Sequence, residues 1–280
     1  RALQPFLKKH LPWKKGEIVI ENIPGAAGLT GSREIFYSNP DGYTIGTCYM
    51  RSALFPQLLG QTAKFDLTKY TFLGQFANNP SVVFTRTAHP FLKTFLDMKN
   101  PPRTITYALS AGGEIGNYWM LREKVNLNVK PIMGYKGSRE VQLAVLGGEV
   151  DINAVEFATI SSLVKSGDLR PIFHYGDKPL VDAPKIPSLK DLGYGELGGK
   201  STLDRSLIGP PNIPKERVEV LRKAIWDAMN DPQFIEWSKK TGYLLDVQDG
   251  DKTKEICTNI ISFWIKYGDQ VKQEMNKFGY

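Results

Sequence analysis

The sequence predicts an α/β protein of two domains facing one cleft. Short β-branched runs alternate with stretches of helical periodicity along most of the chain, the pattern of strands and helices packed in layers. Two strand–turn–helix units with small-residue turns occur, one early and one near residue 110. A length of 280 residues is enough for two domains that each bury a core.

The first unit runs from Glu21 to Tyr43. Ile18–Glu21 reads as a buried strand, stopped by Pro24. Gly25, Ala26, Ala27 and Gly28 form a turn of small residues, and Leu29–Tyr37 a helix that ends before the turn signal Asn39-Pro40-Asp41-Gly42. A strand that feeds such a turn and a helix aims unsatisfied backbone N–H groups at an anion, although small residues in a tight turn also serve packing alone. Further strands are expected at Thr44–Tyr49, Tyr70–Phe76 and Ser81–Arg86. Helices or turns are expected at Phe55–Leu59 and Leu92–Lys99, and the alternation argues for a parallel sheet.

Pro101-Pro102-Arg103 is the expected crossover into the second domain. There Thr104–Ala108 is a strand, Ser110 to Gly116 a glycine-rich turn, and Asn117–Lys124 a helix. Pro131–Tyr135, Val150–Val155 and Arg170–Tyr175 read as strands, with helices at Ser138–Leu146 and Phe157–Ser166. Asp177–Pro214 is proline-rich and reads as irregular. Pro214–Asn230 follows as an amphipathic helix with Pro in its first turn, then Pro232–Thr241 and a long last helix, Lys252–Phe278.

Composition narrows the classes. Lys and Arg exceed Asp and Glu by 36 to 29, giving a net charge of +7 spread along the chain, which reads as a solvated basic surface and not as a nucleic-acid footprint. No apolar run reaches the ~18 residues of a membrane span. Cys48 and Cys257 fit no metal spacing and read as single buried thiols, with a disulfide left open. His10, His89 and His174 are scattered and support neither a zinc site nor a catalytic triad.

ENIPGAAGLTG followed by NPDGYTIG resembles the substrate-binding proteins of tripartite tricarboxylate transporters, the periplasmic solute receptors also called Bug proteins. Tyr135-Lys136-Gly137 through Leu146-Gly147-Gly148-Glu149-Val150-Asp151 resembles their YKG…LGGxxD segment, and Lys165 to Arg170 their KSGxLR segment. Ile186-Pro187-Ser188-Leu189 with Asp191-Leu192-Gly193 resembles their PTLxExG segment, with Ser for Thr and Asp for Glu. The resemblance implies two Rossmann-like domains with a ligand cleft between them, of the type II periplasmic binding protein kind. The first domain would be discontinuous, 1–100 plus 214–280, and the second would be 101–213. It implies a periplasmic monomer that binds a small carboxylate and meets integral-membrane permease subunits, with no cofactor. Members of that family begin earlier, with an export signal, a first strand and a glycine-rich loop that forms part of the ligand site. This sequence opens on an amphipathic helix, Arg1–Leu11, without a signal-peptide pattern, so the resemblance implies either a fragment or a protein short of one wall of its site, with weak binding or none expected of the chain as it stands.

Two helix N-termini facing each other make a simple receptor for an anion, each carrying roughly half a positive charge. Gly25–Gly28 supply one and Gly112, Gly113, Glu114 and Gly116 the other. Glycine there lets the ligand approach the backbone. Ser52 and Ser110 offer hydroxyls to carboxylate oxygens, or cap turns. Arg51, after a strand end, suits a bidentate pair with a second carboxylate, or is a solvated surface arginine. Tyr135 and Lys136 follow another strand end. Glu114 and Glu156 sit awkwardly beside an anion and suit a ligand amine or hydroxyl, or serve as ordinary turn and strand-end residues.

The leading expectation is therefore a non-catalytic receptor, since no catalytic constellation competes. A ligand-sensing module for a signalling partner shares the fold. A nucleotide-dependent enzyme is the third reading, but Gly25, Gly28 and Gly31 give GxxGxxG, which is not the dinucleotide fingerprint.

Overall fold

The computed structural model describes residues 1–13, 16–60, 64–110 and 114–279. In chain order the elements are α1 (Gln4–His10), α2 (Leu29–Tyr37), β1 (Gly46–Cys48), α3 (Met50–Leu58), β2 (Thr71–Arg86), α4 (Phe95–Lys99), β3 (Ile105–Ala108) and α5 (Glu114–Trp119). A π-helical stretch, Met120–Lys124, continues α5. Then come β4 (Val129–Ile132), α6 (Ser138–Gly147), β5 (Asn153–Glu156), α7 (Phe157–Lys165), β6 (Leu169–His174), β7 (Thr202–Gly209), α8 (Lys215–Met229), α9 (Pro232–Thr241), β8 (Gln248–Asp249) and α10 (Gly250–Asn276).

The chain divides into two compact units, residues 1–78 with 204–266 and residues 79–203 with 267–280. Both boundaries differ from those read in the sequence. The expected crossover at Pro101-Pro102 lies inside the second unit, and the chain passes between units within β2, within β7 and within α10.

In the first unit, β1 pairs antiparallel with β7, Gly46 opposite Ile208 and Cys48 opposite Ser206. The early part of β2 pairs antiparallel with β8. Helices α1 and α8 pack through Leu7, Leu221, Ala224, Ile225 and Ala228, with Leu73 and Leu207 beneath. Local chemistry explains where the helices start and stop. Asp231 accepts from the Gln233 N–H at 3.0 Å and Pro232 opens α9, while Gly242 closes it in the left-handed region. Gly46 lets α2 pack close to β1: a Cβ there would lie 2.2 Å from Ile35 Cδ1, so the Ile35 side chain would have to move.

In the second unit, the later part of β2 pairs antiparallel with both β5 and β6. Beside them β3 and β4 form a parallel pair, Ile105 opposite Val129. Val82, Phe84, Val141, Val145, Ile160 and Leu169 share its core. A capping box, Thr94 with Asp97, starts α4.

The architecture is mixed α/β, as expected, with three differences. The sheet is not parallel throughout: among the described residues only β3–β4 is a parallel ladder, because β5 and β6 both return alongside β2. The two strands expected on either side of Asn78-Asn79-Pro80 are one continuous strand of 16 residues. Pro80 is tolerated there as a residue with no N–H to place. Ile18–Glu21 is not a strand; among the described residues, 16–24 make no backbone–backbone hydrogen bond, and Val19 is 78% exposed. Conversely, β7 forms inside the segment read as irregular.

Candidate functional site

The small-residue turn of the first unit is built as its composition requires. Gly25, Ala26 and Gly28 have φ of 130°, 44° and 96°, values that favour glycine. The Gly28 N–H closes the turn onto the Gly25 carbonyl at 2.9 Å. A Cβ on Gly25 would lie 2.6 Å from Thr30 Oγ1. Ala26 to Gly28, with Ala27 between, form one 3-10 turn that runs directly into α2. Gly28 is the N-cap of α2, so no side chain there accepts from the first-turn N–H groups. Gly25, Ala26 and Gly28 are exposed.

Gly28 and Ser52 line a cleft of about 980 Å³ contained in the first unit, together with Trp13, Val19, Tyr43 and Tyr49. Trp13 and Tyr43 approach ring to ring at 6.3 Å.

Arg51 departs from the solvated surface arginine that was one reading of it. It is the second residue of α3 and only 4% exposed. Its charge acts on Asp204, a fully buried carboxyl on β7. The Met50 N–H donates to both Asp204 oxygens at 3.2 Å, capping α3, whose own N-cap Tyr49 offers no side-chain acceptor. Ser206 Oγ lies 3.4 Å from Oδ2 and Cys257 Sγ 3.9 Å from it. Burial pushes the Asp204 carboxyl up to about 7, against the Met50 hydrogen bond and the Arg51 charge. Sequence reading missed Asp204 because it falls in the segment taken as irregular, and its partners are distant along the chain.

In the second unit, Gly112 and Gly113 lie outside the described residues. On either side of them, the Ser110 N–H and hydroxyl both donate to Glu114 Oε2 at 2.8 Å. Glu114 thus engages the Ser110 hydroxyl that the sequence suggested for a ligand, together with the Ser110 N–H. Gly116 is buried inside α5. The Lys136 N–H donates to Glu140 at 2.6 Å while its side chain is exposed. The Tyr135 hydroxyl donates to Glu149 at 2.6 Å, and burial followed by that carboxylate pushes the phenol up to about 12. Glu156, at the end of β5, is buried and accepts from the Asn79 side chain. It lies beside β2, where Ser81 pairs with it; Asn79 was not singled out in the sequence.

Among the described residues no three His, Cys, Asp or Glu side chains group as a metal site, and no helix is long and apolar enough to cross a membrane.

The mixed α/β fold is that of solute-binding proteins. A TctC solute-binding protein from Polaromonas superposes with a TM-score of 0.79 at 18% identity, covering 99% of this chain and 92% of that one. MatC from Rhodopseudomonas palustris, solved with bound malate, superposes with a TM-score of 0.73 at 15% identity, covering 97% and 92%. The protein BugT of Bordetella pertussis is 23% identical over 263 residues, 88% of this chain and 77% of BugT. The sequence pattern described as "Tripartite tricarboxylate transporter family receptor", TctC, matches residues 1–261. The chain belongs to this family.

Proposed function

We propose that this protein is a periplasmic receptor that binds a small carboxylate and presents it to the membrane subunits of a tripartite tricarboxylate-type transporter. The observation that carries the reading is the turn Gly25–Gly28 at the head of α2, where Gly25, Ala26 and Gly28 are exposed, in a chain that matches the receptor family over residues 1–261. An anion at that turn meets the positive end of the helix, with no Cβ on Gly28 to hold it away. Ser52, in the cleft that Gly28 lines, adds a hydroxyl for a further oxygen. From the second unit we assign Ser110, Tyr135 and Lys136 to the solute, with Glu114 and Glu156 selecting for a hydroxyl or amino group on it. Arg51 as the partner of a second carboxylate, action as a monomer and the absence of catalysis belong to the same proposal.

A thermal-shift panel of malate, adipate, other short carboxylates and amino acids, with NAD and ATP as controls, tests the reading. A bound solute at about a hundred times its dissociation constant adds roughly 2.7 kcal/mol of stability and raises the melting temperature. A shift with one carboxylate class and none with the nucleotides is expected. Stabilisation by NAD or ATP alone would overturn the receptor reading.

A further inference from the structure

The Asp204 cluster is an arrangement that solute binding by the Gly25–Gly28 turn does not explain. A carboxyl with 0% exposure is placed at the N-terminus of α3, a nine-residue helix. The groups facing it are the Met50 N–H and the Arg51 charge on α3, Ser206 on β7 and the Cys257 thiol on α10; the Cys48 thiol on β1 also lies within electrostatic reach. Two opposing effects act on this carboxyl. The helix N-terminus, its N–H and the guanidinium favour the charged form. Complete burial favours the neutral form.

We propose that Asp204 is a proton-operated switch at the head of α3 that governs the placement of Arg51 and Ser52 and thereby makes solute capture depend on pH. When charged, the carboxylate holds the α3 N-terminus through Met50 and balances Arg51. When it takes up a proton, its pull on the N–H weakens and Arg51 loses a counter-charge, so the first turn of α3 is freed to adjust. Burial places the changeover near neutral pH, since the carboxyl is raised to about 7. The link to solute rests on the carboxylate-receptor reading; the switch itself does not.

The sign of the effect follows from linkage. The folded carboxyl is raised above its unfolded value, so the folded state holds the proton more tightly. Its stabilisation is full in acid and is lost as pH rises through the folded value. The melting temperatures of wild type and Asp204→Asn, whose amide keeps the shape and cannot ionise, are to be compared from about pH 4 to about pH 8. Wild type is expected to fall by several degrees relative to the variant across that range. Parallel curves would overturn the switch. If Asp204→Asn does not fold, carbon-13 carboxyl titration of wild-type aspartates decides: a resonance titrating around neutrality supports the switch, and none doing so overturns it.

Calorimetry with malate and with adipate at about pH 6.5 and about pH 8, where both acids stay ionised, tests the link. Affinity that changes with pH in wild type and stays flat in the variant supports it, and binding indifferent to pH in both overturns it. No binding at either pH, with the melting curves still diverging, would sink the carboxylate reading and leave the switch standing.

Discussion

Replacing Asp151 by Asn is expected to lower the unfolding free energy by roughly 3 kcal/mol at neutral pH. Asp151 sits just before β5, 4% exposed, and its two oxygens accept five hydrogen bonds. Oδ1 accepts from His89 Nε2 and Arg103 Nη2, both at 2.8 Å. Oδ2 accepts from Arg103 Nη1 at 2.6 Å, the Thr106 N–H at 2.8 Å and the Thr106 hydroxyl at 2.9 Å. The His89 tautomer is set by its other nitrogen, which accepts from the Leu92 N–H at 3.0 Å, leaving Nε2–H as the donor. An asparagine amide would turn its own N–H groups toward these donors, where nothing accepts them. Burial pushes the Asp151 carboxyl up, but the bonds from Arg103, His89 and Thr106 outweigh it and hold it far below the ordinary carboxylate range. A depressed carboxylate stabilises the fold above its unfolded value and loses that contribution as pH falls. The gap between wild type and variant should therefore narrow below about pH 4. Urea unfolding at neutral and acid pH measures both, and an unchanged midpoint at neutral pH would refute the argument.

Trp264→Ala is expected to cost about 3–5 kcal/mol, the range for emptying a buried aromatic site. Trp264 is on α10 with 0% exposure. Its ring lies 4.9 Å from Phe55 of α3 and 5.0 Å from Phe263, both edge-on. Truncation removes both aromatic contacts and leaves a void between α10 and α3. Trp264→Phe should lose much less, because it keeps an aromatic ring in the same place. Denaturant midpoints for the pair check this; equal losses would refute the argument that a ring at this site fills the space and keeps the contacts.

Segments with strong local signals were legible in the sequence. Helices α2 and α9 begin and end where Pro24, Gly28, Asp231, Pro232 and Gly242 place them, because caps and breakers act over a few residues. The turn Gly25–Gly28 was legible for the same reason, and so was the mixed α/β class. Strand partners were not. Whether β5 and β6 lie parallel or antiparallel to β2 depends on contacts between residues some 70–90 positions apart, such as Ser81 with Glu156 and Arg86 with Leu169. β7 was hidden because Asp204, Arg205 and Ser206 break its apolar pattern, although Asp204 and Ser206 are buried. Ile18–Ile20 has the composition of a strand and pairs with no strand among the described residues, since composition does not supply a neighbour. Within the candidate site, the sequence named Ser110, Glu114 and Glu156. That Glu114 grips Ser110 and that Asn79 holds Glu156 depends on side-chain geometry.

The two cysteines turn the first unit into its own stopwatch. Cys48 and Cys257 are free and buried. Burial first, then nearby negative charge, pushes the Cys48 thiol up to about 12 and the Cys257 thiol well above its usual value. Thiol reagents attack the thiolate, so neither cysteine reacts appreciably while the fold is closed. The rate of labelling then counts openings of the structure around β1 and α10, with no engineered residue. Because the sulfurs sit on two elements, their separate labelling rates distinguish fraying of β1 alone from opening of the whole unit.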